Sequence, residues 1–164
     1  MKRLFSAVLI LCLCLAGCGE TSGGSGDMLT FSSDNGYSVS YPEKYTATSL
    51  GAHIDFVLMD DETGTNVTIQ HKEKTDSPAS MTKSEFVFKM KDEGYDKVEI
   101  TAFEKESIND VPCLVAEFFC HESTVTKIFY YASDNTYIAT LTLLPGTRSS
   151  VISDFTNIIR SLNV

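Results

Sequence analysis

Five cysteines and three histidines are where this sequence offers nucleophiles and metal ligands. Cys113 and Cys120 invite a disulfide in an exported protein. Their spacing speaks against one. If residues 113 to 120 form a single strand, seven steps span about 23 Å, and a disulfide needs Cα atoms within about 7 Å. An odd separation also sends the two side chains to opposite faces. Two buried free thiols are expected, unless a sharp bulge near Glu117 intervenes. His53, His71 and His121 form no metal-binding doublet, and Cys120 and His121 are neighbours that face opposite ways on a strand, so no zinc site is expected. Asp60, Asp61 and Glu62 with Asn66 offer clustered oxygens to calcium, but the loop spacing of a dedicated site is missing and a hairpin turn explains the same residues. Asp92-Glu93 and Glu104/Glu106 read as solvated faces. No nucleophile elbow, phosphate loop or dinucleotide fingerprint occurs. No catalytic residue, cofactor or metal is expected, and the chain is not expected to be an enzyme.

Charge narrows the partners. The 164 residues carry 13 Lys+Arg against 22 Asp+Glu, a net charge of -9. Phosphate binding needs a basic face, so nucleic acid is not an expected partner. Docking of the protein surface itself on anionic lipid is disfavoured for the same reason. A hydrophobic fraction of 43% is enough for a packed core.

The remaining cysteines belong to the leader. Met1-Lys2-Arg3 is followed by an apolar run from Leu4 to Leu15. That run is shorter than the roughly 20 residues a bilayer span needs. A basic start, a short apolar stretch and small residues are the parts of a secretory signal. Its end, Leu15-Ala16-Gly17-Cys18, resembles the bacterial lipoprotein signature. The resemblance implies cleavage between Gly17 and Cys18, a diacylglyceryl group on the Cys18 sulfur and often an acylated new amino terminus. The residue types suit that chemistry: a thiolate is alkylated, and small neighbours let a peptidase close on the backbone. Cys12 and Cys14 leave with the leader. The mature chain would hold 147 residues (164 minus 17) and a net charge of -11, from 11 basic and 22 acidic residues. Each buried lipid methylene contributes about 0.8 kcal/mol, so two or three chains hold the protein on the outer face of the cytoplasmic membrane. Gly19 to Asp27 is a flexible spacer by composition.

Behind the spacer, turn signals divide one domain, residues 29–164, into short elements. Thr82 and Glu85 have capping-box spacing ahead of a helix over 83–93, with Met81 and Phe86 at the staple positions and Gly94 as terminator. Val151, Ile152, Phe155, Ile158, Ile159 and Leu162 form one stripe on a closing helix. Strands are expected over 37–41, 53–59, 66–70, 97–106, 113–120, 125–132 and 137–144. The second and third of these pair as a hairpin, and the last three form an antiparallel meander. Residues 108–112 read as a turn. The strands over 113–120 and 137–144 are apolar on both faces, which places them inside the sheet. The fold class is α+β, an antiparallel sheet with helices.

Phe31 and Gly36-Tyr37-Ser38-Val39-Ser40-Tyr41-Pro42, the turn Ile108-Asn109-Asp110-Val111-Pro112 and the closing helix together resemble the family of PsbP-like and Mog1-like domains. The family often has glycine where Asp110 stands, and a tryptophan soon after the proline, where this chain has Tyr45. The resemblance implies an antiparallel sheet sandwiched by helices and a non-catalytic role in binding a larger protein complex. The expected function is a lipid-anchored assembly module with a protein partner at the envelope. The alternative is a lipoprotein that captures a small ligand or a metal ion.

Overall fold

The computed structural model describes residues 26–51, 54–73, 80–121, 124–132 and 135–164. Along the chain come β1 (Met28–Ser32), β2 (Ser38–Pro42), β3 (Ile54–Met59), β4 (Asn66–Lys72), α1 (Lys83–Asp92), β5 (Glu99–Ile108), β6 (Val111–His121), β7 (Thr124–Ala132), β8 (Thr136–Leu143) and α2 (Ser149–Arg160). Six strands form one antiparallel sheet in the order β3-β4-β8-β7-β6-β5, and β1 and β2 pair separately. Cys18 and Gly17, where lipidation and cleavage are expected, and His53 lie outside the described residues.

Each face of the large sheet is covered. Leu114, Ala116, Phe118, Cys120, Ile128, Tyr130 and Ile138 meet Phe86 and Met90 of α1. Cys113, Val115, Phe129, Tyr131, Ala139 and Leu141 meet Val151, Phe155, Ile158 and Ile159 of α2 on the other side. The fold is therefore α+β, with the sheet sandwiched by helices. β8 lies between β4 and β7, and β6 between β7 and β5, so both doubly apolar strands are interior.

The two helices form for local reasons. Thr82 Oγ1 accepts the Glu85 amide (3.3 Å) and Glu85 Oε2 accepts the Thr82 amide (2.7 Å), a complete capping box. Gly94 turns left-handed (φ 97°), and the Tyr95 amide reaches back to the Met90 carbonyl at 3.0 Å to close the helix. In α2 the buried side chains are Val151, Phe155, Ile158 and Ile159, with Leu162 just beyond the helix also buried. Ile152 is half-buried at the stripe's margin.

Three features depart from the expectations drawn from sequence. β1 has no counterpart among them. This strand pairs with β2 and carries Phe31 onto Phe56 of β3 (ring centroids 5.2 Å), so the hairpin shares the α2 face of the sheet. It is fastened to the C-terminus by two backbone hydrogen bonds between Ser38 and Asn163, both 2.9 Å. The meander has four strands, β5 to β8, rather than three.

The turn over 108–112 is also tighter than expected. Ile108 and Val111 pair within the ladder, which leaves Asn109 (φ 50°) and Asp110 (φ 64°) as a two-residue turn with both residues left-handed. β5 and β6 extend to meet it. The Asn109 amide donates to the carbonyls of Leu162 (2.9 Å) and Arg160 (3.1 Å), so it supplies partners to the open end of α2. Asp110 makes no such bond and carries the left-handed cost of an L residue. Asp110→Gly is expected to stabilise the fold by about 0.5–1 kcal/mol. That is a rise of a few degrees in thermal midpoint, and an unchanged or lower midpoint would refute it.

Candidate functional site

A cleft of about 740 Å³ opens beside β3, between the strand, the chain that follows β2, and the start of α2. Its wall is built by residues 46–51, which run along the outer edge of β3. Thr48 exchanges both backbone hydrogen bonds with Val57 (2.9 and 2.8 Å), and the Leu50 amide donates to Ile54 (2.9 Å). Two large apolar side chains on this cleft remain in water: Leu50 is 71% exposed and Met59 53%. Exposed apolar groups clustered on a concave surface mark contact sites more often than scattered ones do.

Charged groups ring the cleft. At one end Lys44 pairs with Asp154 (2.5 Å), and the Tyr45 hydroxyl donates to the same carboxylate (2.9 Å) while its ring packs edge-on against Phe155 (5.0 Å). Burial, and then the Asp154 carboxylate, push the Tyr45 hydroxyl far above its ordinary range, so it stays a donor. At the other end Arg148 reaches Glu62 (3.0 Å) and Asp60 (3.8 Å). Three carboxylates (Asp60, Asp61, Glu62) and two cations (Lys44, Arg148) line the cleft, so its lining is acidic by one charge.

Arg148 holds the N-cap position of α2 without a side-chain cap bond. Helix starts favour Ser, Thr, Asp or Asn there and disfavour positive charge. A residue that breaks the local rule beside a cleft points to a use outside the helix. That signal was present in the sequence as Thr147-Arg148-Ser149, where a serine stood ready to cap.

Of the acids whose cluster could suit calcium, Asp60 is engaged in the turn itself and Glu62 by Arg148. Asp60 Oδ2 accepts the Thr63 hydroxyl (2.6 Å) and amide (3.1 Å), and the Asn66 side-chain amide donates to the Gly64 carbonyl (3.1 Å). Among the described residues no three acids, histidines or cysteines are grouped so as to hold a metal ion. His71 on β4 and His121 on β6 are separated by β8 and β7, about 14 Å across the sheet, and His71 registers with Cys113, eight residues from His121, so the two are too far apart to share an ion. Cys113 and Cys120 are both buried free thiols. Cys113 faces the α2 core and Cys120 the α1 core, as their odd spacing requires. The ladder irregularity opposite Glu117 lies in β5, between Ile100 and Ala102, and leaves the alternation of β6 intact. Burial pushes the Cys113 thiol up to about 12, so it is un-ionised at neutral pH and a weak nucleophile.

A second polar centre sits where β3 is bulged. Asp55 accepts hydrogen bonds from the hydroxyls of Ser33 and Tyr37 and from the Asn35 side-chain amide (2.8 Å). The Tyr137 hydroxyl donates to the Asn35 carbonyl (3.0 Å), and the His71 ring lies 5.6 Å from that of Tyr137. Burial raises the Asp55 carboxyl, and the three donors more than reverse it, leaving it below the usual range. A carboxylate held low is a poor proton acceptor, so this centre suits a clasp on the β1–β2 turn better than base catalysis.

No protein-family model and no curated protein matches the sequence. Solved structures do share the fold. The chain is similar to cyanobacterial PsbP (CyanoP) from Synechocystis sp. PCC 6803, with a TM-score of 0.58 and 15% identity over 92% of this chain and 98% of that one. It is also similar to a protein from Bacteroides thetaiotaomicron, with a TM-score of 0.53 and 16% identity over 82% of this chain and 47% of that one. The domain is PsbP-like in fold.

Proposed function

We propose that this chain is a lipid-anchored extracytoplasmic binding module, without catalytic chemistry, that docks on a protein complex at the outer face of the bacterial cytoplasmic membrane. The observation that carries the reading is Leu15-Ala16-Gly17-Cys18 at the end of a basic and then apolar leader. Nine residues, Gly19 to Asp27, separate Cys18 from the first strand at Met28. A Gly/Ser-rich coil of nine residues averages about 15–18 Å, which would keep the domain, and so its partner, close to the bilayer. The fold supports a binding role. Asp60, Glu85 and Asp55 are engaged in a turn, a helix cap and the β1–β2 clasp.

The test is crosslinking in living cells followed by mass spectrometry of membranes, with the native chain and with Cys18→Ser. Cys18→Ser is expected to leave the membrane fraction and to lose a discrete crosslinked partner. Retention on the membrane, or the same partner in both samples, would sink the tethering role. The size of the cleft favours a second reading, capture of a small ligand or metal ion, since about 740 Å³ falls within the range of ligand pockets. A thermal-shift screen with metals and metabolites separates the two. A true ligand at a hundred times its Kd stabilises by about 2.7 kcal/mol.

A further inference from the structure

The β3 cleft carries more than exposed apolar surface, because part of its wall is an open strand edge. Val57 and Met59 are two residues apart on β3, so their backbone groups point to the same edge. Those of Val57 are taken by Thr48, while no described residue bonds the amide or carbonyl of Met59. The chain of residues 46–51 therefore covers the edge only as far as Val57. At the uncovered end stand the exposed Met59 side chain and the acids Asp61 and Glu62, while the exposed Leu50 lines the same cleft toward its other end, where its amide bonds Ile54. Glu62 is already engaged by Arg148, whereas Asp61 forms no ion pair among the described residues.

From this arrangement, and resting on the docking role proposed above, we infer that the cleft binds an extended segment of another polypeptide in which basic and apolar residues alternate. Each part of the segment has its counterpart. Its backbone pairs with Met59, its apolar side chains cover Met59 and reach along the cleft toward Leu50, and its basic side chains meet Asp61 and a lining acidic by one charge. A small molecule would have no use for the strand edge, and an anionic lipid surface would be repelled by the rim. Recognition by an added strand draws affinity from backbone bonds and specificity from alternate side chains.

The probe is a fluorescent ten-residue peptide of alternating lysine and valine. It is titrated against the native lipidated protein in phosphatidylcholine nanodiscs, with empty nanodiscs as blank. Saturable binding is expected. It should weaken about tenfold or more with an alternating glutamate and valine peptide, with a lysine and serine peptide, and with the lysine and valine peptide N-methylated on the face that pairs. Met59→Asp and Asp61→Lys/Glu62→Lys should each weaken it to a similar degree. Both change exposed positions, and Phe88→Asp, an exposed apolar site on α1, should leave binding unchanged. Equal binding of the acidic and basic peptides, indifference to Met59→Asp, or no saturable binding would overturn the inference. If a Cys18-dependent partner still crosslinks to Met59→Asp, this cleft is not its dock while the tethered role stands. If no partner crosslinks at all, the docking role itself fails.

Discussion

Phe155→Ala is expected to destabilise the protein by about 3–5 kcal/mol. The ring is fully buried at the centre of the α2 face, so its removal forfeits both transfer free energy and contacts across the cavity it leaves. Domains of this size have a net stability of only about 5–15 kcal/mol, so the variant would sit near the threshold of folding. The same ring supports Tyr45, whose hydroxyl helps hold Asp154 and thereby Lys44 at the end of the cleft. The substitution should therefore weaken the cleft as well as the core. Urea unfolding checks the size of the effect. A fall in midpoint with unchanged m-value is expected, and a loss below about 1 kcal/mol would refute the assignment. Phe88→Ala is the internal contrast. That ring is 68% exposed, and its loss should cost under about 0.5 kcal/mol.

Removal of the Asp55 carboxylate is expected to cost about 3 kcal/mol. Asp55→Ala would leave the Tyr37 hydroxyl without its acceptor in a buried position, and would free the Ser33 and Asn35 side chains that shape the β1–β2 turn. Asp55→Asn should be nearly as damaging, since its amide group adds a donor among donors. The effect depends on pH in a defined direction. The folded carboxyl titrates below its unfolded value of about 3.9, so its contribution is complete above that pH and is lost as pH falls through the lower, folded pKa. The stability gap between the native protein and Asp55→Asn should thus be level near neutrality and narrow below about pH 4. A gap that stays constant from pH 7 to pH 3 would contradict the clasp.

Much of the fold was legible because it follows local rules. The capping box at Thr82 and Glu85, the six-residue stripe of α2 and the opposite faces of Cys113 and Cys120 each depend on spacing within one element. A fixed repeat of 3.6 or 2 residues converts sequence directly into a face. The reading of Leu15-Ala16-Gly17-Cys18 is of the same local kind, and it alone motivates the anchor.

The rest required distant residues to meet. β1 has little pattern of its own and becomes a strand only because β2 offers an edge. Asp55 is a lone acid in an apolar strand until the turn beginning at Ser33, 22 residues away, supplies its donors. Arg148 looks misplaced at the start of a helix until Glu62 arrives from the β3–β4 turn. The cleft, with its open strand edge, exposed Leu50 and Met59 and acidic rim, exists only where residues from three parts of the chain converge. By itself the sequence determined most of the elements and their buried faces, and it motivates the proposed anchor. Tertiary structure alone decided where a partner could sit, because a binding surface is made of contacts the chain leaves unfilled, and those appear only after every nearer contact has been made.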